Sequence, residues 1–391
     1  MKGPGRRPPL DGVLVLDLSR VLAGPLATML LADLGARVVK VEDPRGGDPT
    51  RSWAPPSFDG EAAYFLSVNR RKESIALDLS RAEDAEIVRK LALLADVVVE
   101  NFLPGTLEGF GLSLDALRAA NPRLVTCTIS GYGVSGPSAG LPGFDLLAQG
   151  ASGLMSITGP TDAPPSKAGV AVVDVLAGWA AVTAILAALR ARDRDGTGSH
   201  VATDLFSSAV FGLVNVAGNA LVSGTDAPRL GNAHPSIEPY RPFRARDGFF
   251  LVACGTDAQF GALARVVSLP DLASDERFLT NPCRVANREA LVELLSERFA
   301  MEDAGTWIAR CRAAGVPAGE VATVLEALRS EEARANGLVL ETYTPGRALV
   351  PTVRAPFLLE GFDPPRASAP PRLDEGREAV VSMLVRGSAA S

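Results

Sequence analysis

Asp174 is the residue whose surroundings best suit covalent chemistry. It lies in Lys167-Ala-Gly-Val-Ala-Val-Val-Asp174-Val-Leu-Ala-Gly-Trp, with no other charge between Lys167 and Arg190. A carboxylate among apolar neighbours is partly stripped of water, which leaves it available as a nucleophile. The commoner role for an aspartate here is N-cap of the apolar helix that follows. The two roles are compatible, because a helix N-terminus favours the ionised form.

Two loop segments suit a polyphosphate. Only five of the 39 basic residues are lysines, and one of them closes the cluster Asn69-Arg70-Arg71-Lys72 before a strand. Such a cluster is usually a solvated surface, yet a scarce lysine beside two arginines fits phosphate recognition. Asn101-Phe102-Leu103-Pro104-Gly105 follows another strand. The histidines are just two: His200, read as structural, and His234, in the glycine- and proline-marked loop Gly231-Asn232-Ala-His234-Pro. Gly131-Tyr-Gly133-Val-Ser-Gly136 fits a dinucleotide fingerprint by letter. That fingerprint must open a helix, and Pro137, Gly140, Pro142 and Gly143 forbid one.

These residues need a scaffold, and the first 135 positions supply one. Apolar runs at Val13–Leu18, Arg37–Glu42, Ser74–Leu79, Asp96–Phe102 and Leu124–Ser130 alternate with helical patterns at Pro25–Gly35, from Ser80, and at Leu114–Ala120. That alternation predicts an α/β doubly wound parallel sheet, with ligands beyond the carboxyl ends of its strands. A long apolar helix is expected from about Val175 to Arg190 and a helical segment over 203–222. A smaller α+β unit follows, with a hairpin at Tyr240–Phe243 and Phe249–Cys254 and helices near 257–267, 286–300 and 302–315. The expected domains are 1–222, the N-terminal part of a large Rossmann-like domain; 223–328, a small α+β domain; and 329–391, a C-terminal segment returning to the large domain. The Pro364–Pro371 stretch is the one low-complexity segment, and a last helix is expected at Gly376–Leu384.

Composition narrows the chemistry. The 391 residues are 47% hydrophobic and 21% charged, with a net charge of −6, which argues against a general nucleic-acid binder. Two distant histidines and four scattered cysteines provide no metal-ligand spacing, and the thiols read as reduced. Asp11 and Asp17 interrupt any signal-peptide core, and the apolar run Val175–Leu189 is too short for a bilayer, so a cytoplasmic protein without membrane or metal is expected.

Taken in order, the segments resemble the class III CoA-transferases (the formyl-CoA transferase-like, CaiB-BaiF type). The resemblance is carried by Pro9–Ser19, Leu34–Glu42, Asn69–Lys72, Val99–Gly105, Asn121–Leu124, Ser130–Gly133, Gly169–Gly178, and Gly231–Pro235 with Pro239-Tyr240. It implies an interlocked homodimer whose chains each have a Rossmann-like domain and a smaller one. It implies that Asp174 attacks an acyl-CoA thioester, forming a mixed anhydride and then an aspartyl-CoA thioester. The substrates would be an acyl-CoA, succinyl-CoA or similar, and a small carboxylic acid, with CoA as substrate and no permanent cofactor. CoA would lie along Val21, Leu22 and Ala23, Lys72, and Asn101 with Phe102, while the loop of Gly231, Asn232 and His234 covers the intermediate. A dicarboxylate's second charge would meet Arg51, Arg70, Arg71 or His234. The same fold hosts α-methylacyl-CoA racemases, which need a histidine where this chain has Phe144, and phenylalanine takes no proton. A non-catalytic CoA-binding role is the third reading.

Overall fold

Leu14–Asp17 (β1) forms the middle of a six-stranded sheet because its apolar side chains are covered on both faces. The computed structural model describes residues 6–362 and 368–388. The other strands are Arg37–Glu42 (β2), Lys72–Ala76 (β3), Val97–Glu100 (β4), Val125–Ser130 (β5) and His200–Asp204 (β6). Their order is β3-β2-β1-β4-β5-β6, and every pairing is parallel. Helices Ala23–Asp33 (α1), Ala82–Leu94 (α2), Leu114–Ala120 (α3), Asp145–Ala151 (α4), Val172–Asp195 (α5), Leu205–Gly212 (α6) and Asn215–Ser223 (α7) accompany these strands.

Alternation along each strand divides the core in two. Val15, Val38, Val97 and Val125 meet Leu30 and Leu31 of α1 and Ala177, Ala181 and Ile185 of α5. On the opposite face Leu16, Val39, Ile75 and Val98 meet Val88 and Leu91 of α2 and Leu117 of α3. Each aliphatic side chain so buried contributes about 1.5–3 kcal/mol. Helix α1 approaches α5 closely at Gly178, where a Cβ would stand 2.9 Å from the Ala23 carbonyl oxygen. Between β1 and β4 the strand order reverses, which opens a crevice at their carboxyl ends.

The contacts divide the chain into two compact units. The sheet belongs to Met1–Leu154, Lys167–Thr225 and Glu331–Ser391. Its last part contributes the antiparallel pair Val339–Thr342 and Val350–Val353 and the helix Arg377–Ser388. Val380 of that helix packs into the cluster of Ile75 and Leu91. The other unit, Met155–Ser166 with Asp226–Ser330, contains a three-stranded antiparallel sheet. Its strands are Tyr240–Arg244, Phe249–Ala253 and Ala318–Glu320, and Phe299 stacks among Phe243, Phe250 and Trp307 at 4.9–5.3 Å.

Several expectations change. Helix α2 begins after Arg81, while Ser80 hydrogen-bonds Asp78. The segment 203–222 holds the end of an unforeseen strand, β6, and two helices. Helix α4 was also unforeseen. Helix α5 has 24 residues, so by length and composition it could cross a membrane, unlike the shorter run expected. Here Val173, Ala177, Val182 and Leu189 bury against the sheet. Residues 363–367 of the proline-rich stretch lie outside the described residues.

Candidate active site

Asp174 is the third residue of α5, and the N-cap is Ala171, which corrects the capping expectation. The helix end is satisfied from a distance: the Asp145 carboxylate accepts hydrogen bonds from the Val173 amide (2.8 Å) and the Asp174 amide (3.4 Å). Gln149 steadies Asp145 at 2.5 Å and accepts from the Ala168 amide. Helix α4 can start there because Gly131 and Gly143 pack backbone to backbone. A Cβ on Gly143 would lie 2.2 Å from the Gly131 Cα. The abundant glycines that resembled a nucleotide fingerprint serve this crossing.

Burial, with the Asp145 charge adding to it, pushes the Asp174 carboxyl up to about 7. Near neutral pH it therefore holds its proton far more readily than an ordinary aspartate, against the full ionisation that the helix end alone suggests. Asp145 occupies the amides that would have favoured the Asp174 charge, and its own charge opposes it.

The turn from β1 into α1 forms the facing wall. Asn101 clamps Arg20, accepting from its amide and donating to its carbonyl, both at 2.8 Å. The Arg20 guanidinium lies over the Phe102 ring at 4.5 Å. Val21 has φ +72°, a left-handed conformation that costs a β-branched residue about 1–3 kcal/mol. Its amide donates to Asp48.

Between these walls is a cavity of about 400 Å³, at the crevice where the strand order reverses. It is lined by Val21, Leu22, Ala23, Asn101, Phe102 and Asp174, among others. Phe144, 58% exposed, and Trp53 line it too. Trp53 meets Tyr64 edge to face at 5.1 Å. Burial and the Asp174 and Asp145 charges push the Tyr64 hydroxyl up to about 12. A second cavity, about 260 Å³, shares Arg20 and Phe102 and extends past Asp43, Arg45, Asp78 and Ser80 at the ends of β2 and β3.

The expected cations are not at the cavity. Lys72 is fully buried, and its three protons go to Asp17 (2.9 Å), the Pro25 carbonyl (2.9 Å) and Asn69 (2.8 Å). Burial lowers it to about 8 despite Asp17. Arg51 forms a two-pronged bond with Glu42, an ion pair with Glu61 and a stack on Phe65. Arg70 and Arg71 both pair with Asp33. These four groups therefore knit the unit together, correcting their assignment to ligands. Gly231, Asn232 and His234 lie in the other unit, where His234 Nδ1 accepts from the Ser236 amide. His200 bonds Thr126, in keeping with a structural role.

Arg20, Asp48, Trp53 and Asp145 were missed. Arginine is too common in this chain for Arg20 to stand out, and Asp48 and Asp145 act through contacts distant in sequence. Comparison with known proteins adds lineage to this geometry. The sequence pattern of CoA-transferase family III matches residues 10–377. A succinate–glutarate CoA-transferase of Agrobacterium fabrum is 42% identical over 97% of this chain and 97% of its own. The succinyl-CoA:glutarate CoA-transferase of Mus musculus is 41% identical, covering 97% of this chain and 87% of its own. A crystal structure of a CAIB/BAIF family protein from Brucella suis superposes with a TM-score of 0.88 at 42% identity, covering 97% of this chain and all of that one.

Proposed function

Because the chain belongs to CoA-transferase family III, we propose that it moves CoA from succinyl-CoA, or a similar acyl-CoA, to a small dicarboxylic acid through Asp174. One observation carries the reading: a half-buried carboxylate faces a cavity at the sheet's switch point, beside the β1 and β4 loops. The donor and acceptor classes are those named for the relatives in Agrobacterium fabrum and Mus musculus.

In the reaction, ionised Asp174 attacks the thioester carbonyl; the C–S bond breaks, leaving an acyl-aspartyl anhydride and CoA thiolate. The thiolate then attacks the aspartyl carbonyl, freeing the donor acid and forming aspartyl-CoA. The acceptor carboxylate attacks that thioester and releases thiolate again. Attack of the thiolate on the acceptor's acyl carbon gives the new acyl-CoA and restores Asp174. No proton is consumed. Phe144, which lines the same cavity as Asp174, provides no base for the racemase alternative.

CoA would run from the second cavity past Arg20, which lines both, to Asp174. The residues Val21, Leu22, Ala23, Asn101 and Phe102 remain its proposed contacts. With Arg51 and Arg71 paired within their own unit, Arg20 at the cavity is the candidate for a second carboxylate. The homodimer is proposed on the exposed apolar side chains Phe211, Val214, Leu221 and Val222 of α6, α7 and their junction. The cytoplasm remains the proposed location.

Incubation with succinyl-CoA and a panel of mono- and dicarboxylates, followed by mass spectrometry, tests the reading. New CoA esters should depend on the acceptor and vanish in Asp174→Ala. Deuterium entering the α-carbon of a 2-methylacyl-CoA without acceptor would favour the racemase instead. An absence of exchange with every donor would leave a CoA-binding role.

A further inference from the structure

From the Ser19 amide to the Val21 amide, each backbone polar group of the β1–α1 turn is held by a side chain. Asp17 accepts from the Ser19 amide (3.0 Å), and Lys40 donates to the Ser19 carbonyl (2.7 Å). Asn101 takes both groups of Arg20. Asp48 accepts from the Val21 amide, at 3.2 Å and 3.4 Å to its two oxygens. Of these holds, the last acts on the residue with unfavourable backbone geometry. Left-handed φ at a β-branched residue persists only where the surroundings fix it.

Asp48 is built for the task. It is 2% exposed, and its carboxylate pairs with Lys40 at 3.0 Å. It also accepts from the Thr50 amide (3.0 Å) and hydroxyl (2.7 Å), while its own amide donates to Glu42. Each carboxylate oxygen thus has a fixed partner, Thr50 or Lys40, and also reaches the Val21 amide. Val21 is followed directly by Leu22 and Ala23, and all three line the Asp174 cavity.

We propose that Asp48 is a positioning residue for the acyl-CoA: it locks Val21 in the left-handed turn and so sets the wall on which the thioester lies. This rests on reading that cavity as the acyl-CoA site. Asp48→Asn keeps the size of the side chain and removes the charge that anchors it between Lys40 and the Val21 amide. The folded variant, checked by circular dichroism, should bind free CoA about tenfold more weakly and show a matching rise in the donor KM. The acceptor KM should stay near wild type. Glycine adopts positive φ without assistance, so in a Val21→Gly background Asp48→Asn should weaken CoA binding little further.

A merely structural role would lower the melting temperature and the fraction of active enzyme while leaving CoA affinity unmoved; that result overturns the proposal. So does a double variant that binds CoA about tenfold more weakly than Val21→Gly alone. If wild-type protein itself binds no CoA, the reading of the cavity falls and takes this proposal with it. Wild-type binding with an unaffected Asp48→Asn overturns the positioning role alone.

Discussion

At the scale of single residues, the ionisation of Asp174 governs the proposed chemistry. Its carboxyl rises from 3.8 to about 7 through burial and the Asp145 charge. In the proposed reaction only the ionised form attacks, so the rate of the first half-reaction should climb through about pH 7 and level off above it. Asp145→Asn removes one of the two causes, and stopped-flow pH profiles should show the midpoint displaced to lower pH. The same shift acts on stability. The folded state keeps a proton that the unfolded chain releases, so the contribution of Asp174 falls as pH rises from 3.8 to about 7. Asp174→Asn should therefore raise the melting temperature at pH 8 and change it little at pH 4. Lys72 makes the opposite case. Its loss takes the paired cation from Asp17, which keeps only Ser19 and Thr28 as hydrogen-bond donors, and breaking such a buried pair costs about 3–5 kcal/mol. Urea denaturation of Lys72→Met should show that loss, with CoA affinity unchanged in whatever fraction folds.

At the scale of elements, what could be read depended on how local the cause was. Five of the six parallel strands announce themselves as apolar runs, since a strand covered on both faces needs nothing else. The sixth, His-Val-Ala-Thr-Asp, is an edge strand with exposed alternate positions and carries no such run. Helix α4 was hidden by the glycines before it, whose purpose lies in the Gly131–Gly143 crossing. Asp174 stands out in the sequence as a lone charge in an apolar segment, and the structure places it at the cavity. The cluster Arg70-Arg71-Lys72 was misread, because Asp33 and Asp17, which neutralise it, are far away in sequence. The crossing is testable in turn. Gly143→Ala forces the two backbones apart, which should cost about 1–3 kcal/mol in urea denaturation. It should also slow transfer, since Phe144 and Asp145 follow directly.

At the scale of the whole molecule, the exposed side chains of α6 and α7 call for a covering surface. Leu221 and Val222 are 86% and 91% exposed. Replacing both with aspartate should halve the particle mass measured by light scattering if a second copy covers them, and leave it unchanged if none does.

The discontinuous course of the sheet-bearing unit has a consequence in time. Strand β3 forms one edge of the sheet, and Ser74 within it bonds Asp374 and Gly376. The intervening 300 residues take roughly 15–60 s to synthesise at a ribosomal rate of about 5–20 residues per second. Throughout that interval β3 lacks the last helix, whose Val380 joins α2 in covering Ile75. A nascent chain stalled before Arg377 should accordingly be captured by chaperones that bind apolar strands, and released once the last helix has left the exit tunnel.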